Sequence, residues 1–408
     1  MKISSFLLAC MVLFFVVIAC NQHKETRSIQ ASAPVQIDSV PGNCPYLTHD
    51  NKNNTVISWA RSLNDSTAVF CYAVSSGDGK TFGKAIRIPG SENLEPHSEN
   101  LPKIVFKPSG EIIALWGASN PNPKNKYAGL VYYSQSFDDA ATWSKPRPLV
   151  NDTSGFDQRY YDVDLLPNGE AAILWLDNRK KSAREGSALY FAATQGNRGF
   201  QNEKMIGEGC CQCCRTDLFI DKSGGIHALY RGIIRDSIRD MLHCVSVDNG
   251  RSFSEPKLIS NDHWVIKGCP HTGPSMTENK AGIHFAWFTG GGDKGCFYTR
   301  SGDNGENFNL KEPVSGAGAH PQIAAFPAGD LLLAWDESVQ VNNQYYKRIN
   351  VQHRSEEGVV DTQSILTSDT VTATYPVLST AKSGLAILAY NEKKGKDNFI
   401  TWRRIEIK

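Results

Sequence analysis

Residues 216–253 read TDLFIDKSGGIHALYRGIIRDSIRDMLHCVSVDNGRSF, and the punctuation of this stretch decides the fold. A short apolar segment, Thr216 to Ile220, meets a glycine-containing turn, Lys222-Ser-Gly-Gly225. A second, Ile226 to Tyr230, ends in an aromatic residue. A variable loop follows, then a third apolar segment, Met241 to Val247. The stretch closes on Ser246-Val-Asp-Asn-Gly-Arg-Ser-Phe253. Runs of this length bounded by Gly, Asn, Asp and Ser read as strands joined by tight turns.

The pattern recurs along the chain. Segments equivalent to Ile226–Tyr230 end at Trp59, Trp116, Trp175, Tyr230, Trp287, Trp335 and Tyr390, at intervals of 57, 59, 55, 57, 48 and 55 residues. The preceding turns include PSGE, PNGE, PAGD and KSGL. A fixed period of this size marks stacked supersecondary units. Each unit has room for four strands, so the expected fold is all-β: a β-propeller of four-stranded antiparallel blades. Seven blades are expected. The last unit, from Tyr375, offers only three strands, and residues 33–39 (APVQIDS) are positioned to supply the fourth and close the ring.

The closing turn also repeats, as Ser301-Gly-Asp-Asn-Gly-Glu-Asn-Phe308, as Ser136-Phe-Asp-Asp-Ala-Ala-Thr-Trp143 and, shifted, from Ser75 to Phe82. Ser and Asp side chains bond nearby backbone N–H groups, Gly takes positive φ, and the aromatic packs back on the sheet. These turns resemble the Asp box, S-x-D-x-G-x-T-[WF], of the sialidase/BNR-repeat superfamily. That resemblance implies a sialidase-like propeller over about residues 41–408, with six blades, the number in family sialidases, as the alternative. It also implies a glycan ligand and glycoside hydrolase-like chemistry: an arginine clamp for a carboxylate, here Arg159, Arg215 and Arg231, and a catalytic set of Tyr160 or Tyr161 with Glu99 and Asp162. The family's F/Y-R-I-P motif is absent; the matching places read Cys44-Pro-Tyr-Leu47 and Leu101-Pro-Lys-Ile104.

The first residues, MKISSFLLACMVLFFVVIAC, place one Lys before a long apolar run. They read as a signal peptide over residues 1–19. Val17-Ile18-Ala19-Cys20 resembles a bacterial lipobox, which implies acylation of Cys20, a tether over 20–40 and an exported, membrane-anchored protein of the cell envelope. Lys+Arg 43 against Asp+Glu 42 leaves a net charge of +1 with no basic run, which argues against nucleic acid as a partner.

In a four-stranded meander, the segments leading into the first strands converge at one mouth of the central channel. They hold much of the unusual chemistry: Glu95-Pro-His-Ser-Glu-Asn100, Asp157-Gln-Arg-Tyr-Tyr-Asp162, Cys210-Cys-Gln-Cys-Cys-Arg215, Gly268-Cys-Pro-His271 and Gly318-Ala-His-Pro321. Asp157, His97, His271 and His320 therefore join the three arginines as ligand-binding candidates, for a glycan or other small anion. The alternative is a metal or redox site on Cys210, Cys211, Cys213, Cys214, Cys269 and His271, donors suited to copper or zinc. For the leading reading no cofactor is expected. Adjacent cysteines point apart in extended chain, so all four of the cluster reach one ion only through a tight turn. Disulfides are the third reading, because exported proteins sit in oxidising compartments. His227, His284 and the aromatic strand ends are expected to be packing positions.

Overall fold

The computed structural model describes residues 27–77, 79–121, 123, 125–151, 156–179 and 184–408. The expected leader, Cys20 and the start of the tether lie outside the described residues. Among the described residues the strands form seven sheets, each an antiparallel meander. The innermost strands are Gly42–His49, Lys103–Phe106, Tyr161–Leu165, Asp217–Ile220, Ser275–Asn279, Gly318–Ala325 and Thr372–Thr380. This is a seven-bladed β-propeller, which sets aside the six-bladed alternative. The lone helical piece among the described residues is one 3₁₀ turn, Gly196–Arg198. No helix there is long and apolar enough to cross a membrane.

The N-terminal segment closes the ring, but it starts earlier than residues 33–39. Ile29–Ala31 pairs with Ile405–Ile407 of the last strand, and Val35–Gln36 pairs with Thr401–Trp402. First and last segments of the chain thus share blade seven, so the closed ring leaves no unpaired terminal blade.

Apolar layers lie between blades. The aromatic residues that set the repeat are all inside: Trp59, Trp116, Trp175, Trp287 and Trp335 have no exposed surface. Burying such a ring contributes about 4–6 kcal/mol by area. Three of the indole N–H groups have close side-chain acceptors: Trp175 donates to Asp177 at 3.1 Å, Trp287 to Asp262 at 2.7 Å and Trp116 to Asn93 at 2.8 Å. Trp59 Nε1 has no partner among the described residues. His227 sits between Asp221 and His243, and His284 between Asn279 and Tyr298, all buried. These are packing positions.

Innermost strands have an edge facing the channel, where backbone N–H groups need partners. Side chains of the preceding blade supply them. Asp162 accepts from Leu218 N at 2.9 Å, Asp164 from Ile220 N at 3.0 Å and Asp217 from Met276 N at 2.6 Å. Ser275 and Thr277 do the same for Ile323 N and Ala325 N. In blades three, four and five, polar side chains of the inner strand thereby staple the next blade.

The 3–4 turns share one construction. In Ser246–Phe253 the Ser246 hydroxyl accepts from Gly250 N, while Asp248 accepts from the Ser252 hydroxyl and backbone N–H. Ser301–Phe308 repeats this with Asp303 and Asn307. Gly250 and Gly305 have φ of 76° and 84°. A methyl at either would lie 2.5 Å from Phe191 or 2.2 Å from His243, so glycine is required twice over.

Candidate ligand site at the channel mouth

Blades two to five open a cavity of about 510 Å³ on the face where the inner strands begin. Its wall is built from four lead-in segments and two loops. Asp157 and Arg159 come from blade three, Cys213 from blade four, Cys269 and His271 from blade five, and Glu95 and His97 from the approach to blade two. Tyr127 and Asn178 come from second-to-third-strand loops.

Arg159 is held as a fixed fork. Its Nε donates to Asp157 Oδ1 at 2.8 Å and its Nη2 to Asp157 Oδ2 at 3.1 Å and to the Tyr127 carbonyl. Its Nη1 faces Glu95 at 3.6 Å, beyond hydrogen-bond length. Gly129 makes the fit possible, since a methyl there would lie 2.2 Å from Arg159 Cδ. Asp157 is fixed in turn: its N–H donates to Asn178 Oδ1 at 2.8 Å. The Arg159 guanidinium lies 5.5 Å from the centre of the Tyr160 ring.

Tyr160 occupies the left-handed region, with φ 59°, and its N–H is held by Asn100 Oδ1. Burial pushes its phenol above the usual range. His97 packs edge-on to Tyr160 and lies 5.6 Å from the His271 ring. Burial, then the neighbouring His271, lowers the His97 pKa. Its Nδ1 accepts the Glu99 N–H at 3.2 Å, which leaves the proton of the neutral ring on Nε2.

The cysteine cluster turns as the sequence requires. Cys210 ends a strand and faces the core of blade four with Cys244 and Tyr230, so it leaves the metal-ligand set. Cys211, Cys213 and Cys214 follow in a turn and face one another, with sulfur distances of 3.8 Å and 3.9 Å from Cys211. All nine described cysteines carry free thiols; the disulfide expectation finds no bridge among them.

Several candidates sit elsewhere. Tyr161 is wholly buried, its hydroxyl on the carbonyls of Leu101 and Leu115. Asp162 staples blade three to blade four and pairs with Lys103 in the channel. Glu99 is buried and accepts from Arg215 N at 3.0 Å. These three do not join Tyr160 at the cavity, so the Tyr–Glu–Asp set implied by the resemblance is not assembled there. The arginine clamp is not assembled either. Arg215 lines the central channel, and Arg231 is buried against Trp264 with its N–H groups on the carbonyls of Arg239, Thr272 and Phe288. His320 is bonded to Asp336 at 2.5 Å and stacks on Tyr375. Of the ligand-binding candidates, Arg159, Asp157, His97 and His271 meet at one cavity.

The sequence reading missed Tyr127, whose ring is 69% exposed at the rim, and Lys126 beside it. No local signal marked them, since the loop between Ser119 and Gly129 is no longer than the corresponding loops of blades three and four.

A seven-bladed propeller with one polar cavity at its mouth is the class of molecule these features define. Among solved structures, the chain is similar to a Dyadobacter fermentans protein of unknown function, at 14% identity, 93% of this chain, 99% of that one and a TM-score of 0.54. It is also similar to the polysaccharide lyase Uly1, at 12% identity, 90% of both chains and a TM-score of 0.55. The NanB sialidase from Streptococcus pneumoniae matches at 12% identity, over 92% of this chain and 70% of that one, with a TM-score of 0.50. At these identities the likeness is one of fold. No family model and no curated protein matches the chain.

Proposed function

We propose that this propeller binds a glycan bearing an acidic group in the mouth cavity, as an exported protein anchored through Cys20. One observation carries the reading. A cavity of about 510 Å³ joins a fixed guanidinium, Arg159, whose Nη1 meets the half-exposed Glu95 carboxylate only at 3.6 Å and so has room for a closer anion, to an exposed aromatic residue, Tyr127. That volume suits a sugar unit or two. A carboxylate would pair with Nη1, and a sugar face would lie on the tyrosine. The propeller is shared with proteins named as a sialidase and a polysaccharide lyase, both names that denote work on glycans. The turns resembling Asp boxes, and the lipobox-like Val17–Cys20, support a sialidase-like envelope lipoprotein.

Calorimetric titration with uronic-acid and sialic-acid oligosaccharides, against neutral counterparts, tests the binding. Acidic sugars are expected to bind and neutral ones to bind at least tenfold more weakly. Equal binding of both, or of neither, removes the reading. Cys20→Ala is expected to move the protein from the membrane fraction to the soluble one.

A further inference from the structure

Three of the cavity-lining side chains have no role in holding Arg159. Cys213 Sγ, Cys269 Sγ and a ring nitrogen of His271 lie within 4.8 Å of one another. Donor atoms on one tetrahedral ion lie about 3.3–3.8 Å apart, given metal–sulfur and metal–nitrogen bonds of about 2.3 and 2.0 Å. A contraction of no more than about 1–1.5 Å would bring the three to that spacing. His271 Nδ1 is buried without a hydrogen-bond partner among the described residues. A buried imidazole nitrogen left in that state costs about 1–3 kcal/mol, which a bound cation would offset.

A second trio, Cys211, Cys213 and Cys214, shares Cys213 with the first and is buried. The shared thiolate can bridge. No carboxylate belongs to either trio, and the nearest acids in the cavity, Asp157 and Glu95, face Arg159. The donor set is therefore soft: it disfavours magnesium and calcium and suits ions that take thiolate and imidazole.

We propose that the cavity wall is a binding site for a thiophilic d¹⁰ cation, copper(I) or zinc(II), on Cys213, Cys269 and His271, with Cys211 and Cys214 extending it inward. All three primary donors line the cavity, so a bound ion has an open side there. The inference does not rest on the glycan reading, because it concerns the sugar-free protein.

The test uses the full chain in detergent, reduced and handled without oxygen. Copper(I) is titrated in competition with bathocuproine disulfonate, and zinc(II) with 4-(2-pyridylazo)resorcinol; native mass spectrometry counts retained ions. The wild type is expected to retain at least one equivalent of one ion, and the competitors identify which. Cys269→Ser and His271→Ala should each weaken binding at least tenfold. Cys244→Ser, on a buried strand, should leave it unchanged, and circular dichroism should show each variant folded. No retained ion in the wild type overturns the proposal. So does wild-type affinity in both Cys269→Ser and His271→Ala, or a disulfide through Cys213 in protein taken directly from its envelope.

Discussion

The two flanks of the channel mouth use one backbone device to different ends. In five blades the residue heading the inner strand is left-handed although it is not glycine: Cys44, Tyr160, His271, His320 and Tyr375, with φ between 49° and 62°. Each costs about 1–2 kcal/mol. On the flank of blades six, seven and one, these side chains are consumed by the fold. His320 bonds Asp336 and stacks on Tyr375 at 3.9 Å, Tyr375 N donates to the same Asp336, and Cys44 is buried. On the flank of blades two to five, Tyr160 and His271 line a cavity instead. A left-handed residue is thus a device of the repeat, and only what surrounds it separates a structural position from a binding one.

The comparison breaks first at Asp336. It is wholly buried and serves His320, the Tyr375 N–H and Lys347 at once. Asp336→Ala leaves a buried histidine and a backbone donor without their acceptor, so it should cost about 3–5 kcal/mol in urea denaturation. Binding in the distant cavity should survive wherever the variant is folded. A loss of affinity matching the loss of stability would mean the two flanks act as one unit.

Arg159→Ala probes the other flank. It removes the guanidinium that the glycan reading needs and strands Asp157 at the cavity wall, where water replaces the lost partner. Affinity for an acidic oligosaccharide should fall about ten- to hundredfold, or about 1.4–2.7 kcal/mol. Unchanged affinity in calorimetry would reduce Arg159 to a strut like Arg231.

The fold was legible because it is periodic. Seven aromatic strand ends at near-regular intervals carry the blade count in plain spacing. The face was legible too, since meander geometry sends every lead-in segment to one mouth. Individual roles were not, because the same residue types serve two purposes there. Asp162 looks like an acid/base in sequence and is a staple for Leu218 N in space. Tyr160 and Tyr161 are neighbours in sequence, yet Tyr160, left-handed just before the inner strand, reaches the cavity while Tyr161, the strand's first residue, faces the core. Arg231 ends a strand near the mouth but is drawn inward by three carbonyls. Partner choice across blades is a matter of tertiary register, which no local pattern encodes.

The channel floor sharpens the contrast through pH. Burial, aided by the Asp162 charge, raises Asp217 to about 8, and burial raises Asp164 to about 7. Unfolded aspartate titrates near 3.9. Between its unfolded and folded values each of these two carboxyls binds more proton in the folded chain, so its own contribution to stability falls as pH rises. The contribution is complete below about pH 4 and is lost by about pH 8. Six histidines with pKa lowered by burial, such as His243 and His284, pull stability the other way below about pH 6.5. Above the histidines' range, between about pH 6.5 and 8, urea midpoints of the wild type should drop, and Asp217→Asn should flatten that slope by about one proton. An unchanged slope in the variant would place the proton uptake elsewhere.

The smallest expected effect is the most discriminating for recognition. Tyr127 stands exposed on the rim, and its backbone serves the fold: the carbonyl accepts from Arg159 and the N–H donates to Asn125 Oδ1 at 3.0 Å. Tyr127→Ala keeps that carbonyl, so stability should change by no more than about 0.5 kcal/mol. A stacked sugar would lose the ring face, worth about 0.5–1.5 kcal/mol, or a two- to twelvefold weakening. Tyr127→Phe retains the face and should bind like the wild type. If the alanine variant binds as well as the phenylalanine variant, sugar does not lie on this ring, and recognition must rest on Arg159 and the imidazoles below it. A weakening confined to Tyr127→Ala with stability untouched would show that the cavity flank holds a surface the fold does not need. On the Asp336 flank the equivalent residues, His320 and Tyr375, are held by Asp336 and by each other.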